Sequence, residues 1–328
     1  MGNNLTEDNC TIDNQGLYTF YSSVMILEFL LALPLNLSVL YIFIFRFKFW
    51  KTNTIFLFNL VLADILLLAC LPVKVYYYQH GYRCSVNETT CKAMLFMLFL
   101  NRGASIAFLT AVSVDRYLNV VHPHKKNYLK LARRKPHISV FIWVSLLPLT
   151  IPTMLRTFEC CNIIDHGEEH FMDVLREIVF FTQILIPFLV LIFCAVKIIQ
   201  KLSQRSIGKK VKIRRAVFLV ILVVVVFGVC FLPCTTSRLV LLVVRIKNLH
   251  YIEKIAAQVN DGITCLSYID CLLDPIVYCF CSSNFKTVYM SNFCPCLLKK
   301  ETNTQDTSTR TRFTKTNEHT VAFWVTGK

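Results

Sequence analysis

The sequence is poor in charged residues and in glycine. Asp, Glu, Lys and Arg make up 17% of the 328 residues, whereas hydrophobic residues make up 55%, a balance that is not typical of a soluble globular protein. The 9 glycines form no phosphate-binding loop, and the Gly-x-Ser-x-Gly pattern of a nucleophile elbow is absent. We therefore expect no catalytic residues, and the chain is predicted not to be an enzyme.

Long apolar blocks are what the sequence has instead. A bilayer core about 30 Å thick is crossed by roughly 20 mostly apolar helical residues. Seven blocks of about this length occur, at residues 21–45, 55–78, 93–121, 138–155, 178–199, 213–244 and 252–280. Their continuous apolar runs lack the alternation of a membrane β-strand. The predicted fold class is an all-α membrane protein, a seven-transmembrane helix bundle over residues 21–280.

Basic residues predict the orientation of this bundle. Of the 35 Lys and Arg, 25 fall in the loops and tail on one side, which is cytoplasmic by the positive-inside rule. Residues 1–20 then form an extracellular N-terminus, and the N-glycosylation sequons at Asn4, Asn9 and Asn87 all lie outside. We expect a multi-pass plasma-membrane protein that contacts lipid but no nucleic acid, because it has no soluble basic domain.

Ionisable residues within the spans are candidates for function, because charge is costly inside a membrane. The sequence places Lys74, Arg102 and Arg238 in the outer half, Asp64, Asp270 and Asp274 near the middle, and Asp115 with Arg116 at the inner end of span three.

Arg102 lies inside the apolar run FLNRGASIAFL (99–109), 11 residues from Cys91 and 14 from Arg116. At ~1.5 Å per residue these separations are about 16 Å and 21 Å, which places Arg102 at the floor of an outward-facing cavity. A guanidinium there is a planar fork suited to a carboxylate.

Three alternatives stay open at this point. In the first, Asp64 or Asp270 permanently neutralises the charge of Arg102. In the second, Lys74, which lies near a helix end, extends to water and adds no positive charge to the ligand site. A membrane transporter for organic anions would also bury charges along its substrate path, although the internal repeats typical of transporters are absent from this sequence.

Motifs along all seven spans resemble those of the class A (rhodopsin-like) G protein-coupled receptors. They are Asn36, Asp64 in LVLAD (60–64), Cys91, Asp115-Arg116-Tyr117, Trp143, Pro187, CFLP (230–233) and LLDPIVY (272–278). Two positions depart from the family pattern, with Phe231 where most members carry Trp and Asp274 where most carry Asn.

This resemblance implies that Arg116 opens toward a heterotrimeric G protein on activation and that Tyr278 rotates inward to support it. Proline removes an intrahelical hydrogen bond and gives a helix a hinge. The residues we assign to coupling and activation are Asp115, Arg116, Tyr117, Phe231, Pro233, Asp274, Pro275 and Tyr278.

Further strings look like the branch that holds the hydroxycarboxylic acid receptors and the oxoeicosanoid receptor. They are LFNL (57–60), NRGASIAFLT (101–110), DRYLNVVHPH (115–124) and LDPIVY (273–278). The resemblance implies that Arg102 binds the ligand carboxylate and that signalling uses an inhibitory, cyclic-AMP-lowering G protein. Arg238, Tyr268 and Lys74 complete the predicted ligand site. A small hydroxycarboxylic acid and an oxidised fatty acid such as an oxo- or hydroxy-eicosanoid both fit this prediction.

The family's allosteric sodium pocket is matched by Asp64, Asn101, Ser105, Asp270 and Asp274. Relatives generally place Asn at the position of Asp270. Because three carboxylates are expected close together, either cations must bind there or one acid must be protonated. We expect no other cofactor.

Five cysteines face the oxidising side, so they cannot all pair within the chain. Cys91 is expected to pair with Cys160 or Cys161, and Cys10 with Cys84 or with the remaining loop cysteine. The loop HGEEH (166–170) fits a zinc-peptidase pattern, but it is too short to hold a catalytic domain or a third ligand, so we expect no catalytic metal.

The C-terminal region has two predicted parts. Residues 281–298 form a short amphipathic eighth helix on the inner leaflet, anchored by palmitoylation at Cys294 and Cys296. The alternative is that these are free cytosolic thiols. Residues 299–328 are rich in Ser and Thr and are expected to be disordered, so that phosphorylation by a receptor kinase creates a docking surface for an arrestin.

Overall fold

The structure of the protein is a computed structural model. It describes residues 11–46, 55–83, 85, 87–122, 135–151, 158–159, 162–163, 170–203, 210–247, 249–281 and 283–293. The chain divides into two units, Met1–Cys281 and Ser282–Lys328. Within these ranges the structure is almost entirely helical, as the apolar blocks predict.

The first five spans are single helices. They are α1 (Gln15–Tyr41, continued by a π-helical turn at Ile42–Arg46), α2 (Ile55–Gln79), α3 (Glu88–Val121), α4 (Lys135–Thr150) and α5 (His170–Ser203). Between α4 and α5, the strands β1 (Phe158–Glu159) and β2 (Asn162–Ile163) pair antiparallel, with Phe158 opposite Ile163.

Spans six and seven are interrupted helices. Span six consists of α6 (Lys210–Cys230) and α7 (Leu232–Ile246). Span seven consists of α8 (His250–Leu266), a 3₁₀ turn at Ser267–Ile269, and α9 (Asp270–Cys281). The second unit contains α10 (Ser283–Phe293).

Among the described residues, six helical segments are long and apolar enough to cross a membrane. The fourth span contributes a shorter apolar helix, Pro136–Thr150. Together they account for the seven predicted spans, and the predicted fold class is confirmed.

Helix starts and breaks follow from local chemistry. Asn14 caps α1 by accepting a hydrogen bond from the Leu17 amide at 3.2 Å, so α1 begins before the apolar block does. Asn87 caps α3 in the same way, accepting from two amide groups. Span six breaks at Phe231, where Pro233 lies in the first turn of α7, because proline lacks the amide hydrogen that would continue the helix.

Polar contacts join the spans internally while many large apolar side chains remain exposed on the outside, as expected for a surface that faces lipid. The Asn36 amide donates to the Cys271 carbonyl at 2.9 Å, which links span one to span seven. The Trp143 indole donates to Asn59 at 2.8 Å, which links span four to span two. A buried apolar cluster of spans one, two and seven includes Met25, Leu68 and Cys271.

The second unit is described by its own helix. Phe285, Tyr289 and Phe293 recur every four residues along α10, and their ring centroids are 5.9 Å and 5.2 Å apart in sequence order. This spacing places them on one face of the helix. The predicted palmitoylation sites Cys294 and Cys296 lie outside the described residues.

Candidate ligand site and activation residues

Arg102 is buried in α3, with 8% of its surface exposed. Its guanidinium NH2 donates to the Cys234 thiol sulfur at 3.1 Å, and its Cζ lies 5.8 Å from the centre of the Phe180 ring. No salt bridge within the described part of the chain joins Arg102 to Asp64 or Asp270. Arg102 thus makes no direct salt bridge to either acid in the structure, but its charge and that of Asp270 are close enough to interact.

Arg238, in α7, is held by a carboxylate of the protein itself. Its Nε and NH2 donate to the two carboxylate oxygens of Glu177 at 2.9 Å and 2.7 Å. The same guanidinium lies 4.5 Å from the Phe180 ring centre and 5.5 Å from that of Phe99. The sequence analysis missed Glu177 because it directly precedes the apolar block of span five. Its only signal in the sequence is an acid next to an apolar block, and such acids are common at span ends.

Lys74 and Tyr268 form a second polar group. The Lys74 ammonium donates to the Tyr268 hydroxyl at 3.1 Å, and it lies 5.3 Å and 5.4 Å from the ring centres of Tyr78 and Tyr268. Tyr268 is buried in the 3₁₀ turn of span seven. Lys74 is half-buried and directed at these rings, not extended to water.

The predicted sodium-pocket residues lie in two pairs. Asn101 donates to Asp64 at 3.4 Å, and Ser105 donates to Asp270 at 2.8 Å. Together with Asp274, all are buried, and the charges of Asp64 and Asp270 are close enough to interact.

The oxygen donors of this pocket suit a small cation. Carboxylate and hydroxyl oxygens are the ligands that hard cations prefer, and Asp270 Oδ1 is buried with no hydrogen-bond partner within the described ranges. The acids do not converge on one point, because no three His, Cys, Asp or Glu side chains among the described residues are close enough to hold a metal ion. A cation there would be held by a carboxylate together with neutral oxygens.

The predicted activation residues extend from this pocket to the inner end. Tyr278, at the end of span seven, is fully buried and donates to Asp64 at 3.4 Å. Asp115 is buried and Arg116 half-buried at the inner end of α3. The Tyr117 hydroxyl lies 3.3 Å from His122 Nε2. In this structure Tyr278 is thus engaged with the middle of the bundle.

The break in span six lies within an aromatic stack. Phe231 is 2% exposed, its ring centroid is 5.2 Å from that of Phe227, and Phe227 stacks on Phe188 of span five at 5.2 Å. Pro233 is half-buried just after the break, and Pro275 is buried within α9. The Phe that replaces the family's usual Trp is thus packed against span five through Phe227.

An outer cluster was missed by the sequence analysis. The carboxylate oxygen Oδ2 of Asp261 accepts from the Tyr18 hydroxyl at 2.7 Å and from Arg83 Nε and NH2 at 2.8 Å and 2.6 Å. These contacts join the outer ends of spans one and seven to the loop after span two. In that loop, burial acts to lower the pKa of the Arg83 guanidinium, but the Asp261 carboxylate beside it contributes to holding that pKa above its usual value.

Glu28 of span one was also missed. It is 5% exposed, and its Oε2 has no hydrogen-bond partner among the residues that the structure describes. The signal was present in YSSVMILEFLL (21–31), where one acid stands in an apolar run.

Most predicted modification sites lie outside the described residues. This holds for Cys10, Cys84, Cys160, Cys161, Asn4, Asn9 and most of the HGEEH loop. Cys91 is buried near the outer end of α3. Asn87 is exposed, and it caps α3 through its side-chain oxygen, which leaves the amide nitrogen that a glycan would occupy outside those hydrogen bonds.

Comparison with known proteins identifies the class. Residues 35–278 match the family described as 7 transmembrane receptor (rhodopsin family). The chain belongs to this family and is a class A G protein-coupled receptor, a multi-pass protein of the plasma membrane with an extracellular N-terminus. It is not an enzyme, and membership of a receptor family decides against the transporter alternative. As a receptor it has a ligand and a heterotrimeric G protein as partners.

Similar proteins lie in the branch predicted from the motifs. The 12-(S)-hydroxy-5,8,10,14-eicosatetraenoic acid receptor of Mus musculus is 32% identical over 289 residues, covering 86% of this chain and 91% of the relative. Hydroxycarboxylic acid receptor 2 of Rattus norvegicus is 32% identical over 298 residues, covering 89% and 83%. Oxoeicosanoid receptor 1 of Homo sapiens is 31% identical over 269 residues, covering 81% and 70%. The resemblance to this branch is confirmed.

Proposed function

We propose that this receptor binds an extracellular carboxylate ligand, anchored by Arg102, and activates an inhibitory-type heterotrimeric G protein. The observation that carries the proposal is a buried guanidinium without a carboxylate partner among the described residues. The names of the relatives, receptors for hydroxycarboxylic acids and for an oxygenated fatty acid, support the same ligand class.

The energetics of Arg102 favour a ligand that brings a negative charge. Its described neighbours are the Cys234 thiol, which is a weak acceptor, and the face of Phe180. An uncompensated charge in a buried site is costly. A carboxylate accepts two parallel hydrogen bonds from a guanidinium, so it supplies the direct ion pair that the described contacts of Arg102 lack.

Signalling is proposed to pass from the ligand site to the inner end through the middle of the bundle. Asp270 and Asp64 lie below Arg102, and Tyr278 donates to Asp64. A cation held by one of these acids together with neutral oxygens would add positive charge to the pocket and stabilise the arrangement in which Tyr278 is held there. Release of Tyr278 toward Arg116 would then accompany G protein coupling, and the inhibitory type is what the hydroxycarboxylic acid receptor branch implies.

The proposed modifications follow the same topology. We assign N-glycosylation to Asn4, Asn9 and Asn87, a disulfide between Cys91 and Cys160 or Cys161, and palmitoylation to Cys294 and Cys296. Phosphorylation of residues 299–328 would recruit an arrestin. Mass spectrometry of the purified receptor, before and after deglycosylation and reduction, tests each of these assignments.

Inhibition of stimulated cyclic AMP in transfected cells tests the ligand proposal. Wild type is exposed to short hydroxycarboxylic acids and to oxo- and hydroxy-eicosanoids, beside Arg102→Ala, Arg102→Lys and the control Arg245→Ala. Arg245 is a matched control for Arg102 because it is also an arginine of the outer half. Its side chain is 38% exposed and pairs with Glu253. Responses should vanish in Arg102→Ala. They should be weaker in Arg102→Lys, because lysine keeps the positive charge but lacks the planar guanidinium that donates two parallel hydrogen bonds.

Two outcomes would overturn the proposal. One is a response of wild type that survives Arg102→Ala unchanged at equal surface expression. The other is that no acid in the panel produces a response in cells with the wild-type receptor, although a G protein sensor detects the basal activity of that receptor.

A further inference from the structure

Phe180 of α5 lies between two cationic side chains in the outer half of the bundle. The centre of its ring is 5.8 Å from Cζ of Arg102 and 4.5 Å from Cζ of Arg238, and both distances are within the range of a cation–π contact. The side chain is buried, with 4% of its surface exposed. Phe180 was not among the ligand residues predicted from the sequence, where it is one of 26 phenylalanines.

The surroundings of Phe180 are built in two layers. Each of three helices contributes two side chains that are three or four residues apart and therefore lie on one face of that helix. These pairs are Phe99 and Arg102 of α3, Glu177 and Phe180 of α5, and Cys234 and Arg238 of α7. The first residue of the pair is the outer one in α3 and α5, whereas the second is the outer one in α7, because α7 runs in the opposite direction.

The outer layer holds the Phe180 ring in place over Arg102. Arg238, which binds Glu177 at 2.7 Å, contacts this ring from the outer side. The ring of Phe99 meets it edge-on, with centroids 6.4 Å apart and an angle of 88° between the planes, and aromatic pairs of this geometry are stabilising. The Phe180 ring therefore lies between Arg102 and the outer surface on the side of spans three, five and six.

Spans six and seven are also joined to each other above Arg102. The Cys234 sulfur, which accepts from Arg102, lies 3.7 Å from the Thr264 hydroxyl. About one turn further out, Ser237 donates to Asn260 at 3.0 Å. In the part of the chain that the structure describes, spans three, five, six and seven thus all contribute side chains that cover the guanidinium.

A bound acid has to fit its chain into these surroundings. With its carboxylate on Arg102, a short acid needs space next to the guanidinium only. A long chain must also pass the level of Phe180 and of the Arg238–Glu177 pair, and packed side chains leave few voids that could accept it. The Phe180 ring has no polar group to offer a ligand, so it influences binding through its volume.

We propose that Phe180 determines the length of the ligand, because its ring restricts the Arg102 site to short carboxylic acids and excludes the chain of a long fatty acid. This deepens the proposed function and rests on it. A smaller side chain at position 180 opens the site to longer acids. The same substitution leaves the contact between Arg102 and the ligand carboxylate in place.

The test uses ligands that share one head group and differ only in chain length. These are the β-hydroxy acids of four, eight, twelve and sixteen carbons. Cyclic-AMP inhibition is measured on wild type, Phe180→Ala, Phe180→Leu and the control Phe141→Ala, at equal surface expression. Phe141 is a suitable control because it is a phenylalanine of α4 that is 70% exposed on the outside of the bundle.

The expected result is a change in selectivity for chain length. Wild type should respond best to the shorter acids. In Phe180→Ala the potency of the sixteen-carbon acid should rise by about tenfold or more relative to that of the four-carbon acid, since even one methylene group that a pocket cannot accommodate costs about tenfold. Phe180→Leu removes less volume and should shift this ratio in the same direction by a smaller factor. Phe141→Ala should leave the ratio unchanged.

Three results would overturn the inference. The first is a wild-type receptor that responds to the sixteen-carbon acid at least as well as to the four-carbon acid. The second is an equal change in potency for all four acids in both Phe180 variants, which would make the ring a part of general packing only. The third is no change for any acid in either variant. The proposed function fails separately, when Arg102→Ala leaves every response unchanged.

Discussion

Glu177→Gln should strengthen the response to carboxylate ligands. In the structure Glu177 accepts from Nε and NH2 of Arg238, at 2.9 Å and 2.7 Å, and so occupies one edge of the guanidinium. A ligand carboxylate that approaches Arg238 must compete with this internal carboxylate. The amide of Gln keeps the size of the side chain and removes its charge, so the competition is weakened.

The size of the effect follows from the exposure of the pair. The side chains of Arg238 and Glu177 are 22% and 13% exposed. Removing one partner of a buried charge pair costs roughly 2–5 kcal/mol, and partial exposure places this pair near the lower end, about 2 kcal/mol. If the ligand recovers that free energy by binding the released guanidinium, its potency rises by up to about thirtyfold.

The assay is cyclic-AMP inhibition by the most potent acid of the panel, compared at equal surface expression. The control is Glu253→Gln, which removes the acid of the more exposed pair with Arg245. The double variant Glu177→Gln with Arg238→Gln should return potency toward wild type, because the released guanidinium is then absent. Unchanged or lower potency in Glu177→Gln would refute the reasoning and make the pair purely structural.

Three further predictions concern the sodium pocket, the outer cluster and helix packing. Replacing choline by sodium should lower basal G protein activation in wild-type membranes but have little effect in Asp64→Asn, which removes the pocket's buried carboxylate in span two; equal sodium effects in both would contradict the assignment. Asp261→Asn should lower the melting temperature of the solubilised receptor, because its carboxylate accepts three hydrogen bonds at the outer end; an unchanged melting temperature would show that these contacts add nothing. Gly103→Ala should cost about 1–3 kcal/mol, since its new Cβ would lie 2.7 Å from Leu146 Cδ2. Gly228→Ala, with nothing within 4 Å, should be neutral or stabilising; equal effects of these two substitutions on melting temperature would exclude the packing argument.

The spans could be predicted because their signal is local. An apolar block long enough to cross the bilayer has to be helical in order to satisfy its own backbone. The ends of the spans were predicted less accurately, since the residue at which a helix begins or ends depends on single side chains. Asn14 moves the start of α1 to Gln15, ahead of the apolar block. The interruption of span seven at Ser267–Ile269 contains no proline, and no local pattern predicted it.

Individual site residues could be predicted where a charge stands in an apolar run. Arg102, Asp64 and Asp270 were found in this way. Glu28 carries the same signal and was overlooked. Glu177 is different, because it lies at the outer end of span five, where charged residues are common and carry little information. Asp261 lies within the predicted block 252–280 and was overlooked like Glu28.

The sequence by itself determined the number of spans, their orientation and the identity of the ionisable groups within them. These depend on composition and on the transfer of side chains into lipid, which each segment undergoes largely on its own. Only the tertiary structure decided which charges compensate one another. Arg238 pairs with Glu177, whereas Arg102 meets a thiol and Lys74 meets a tyrosine hydroxyl. Such pairings depend on how each helix is rotated and offset against its neighbours, and these quantities arise only when the helices pack together.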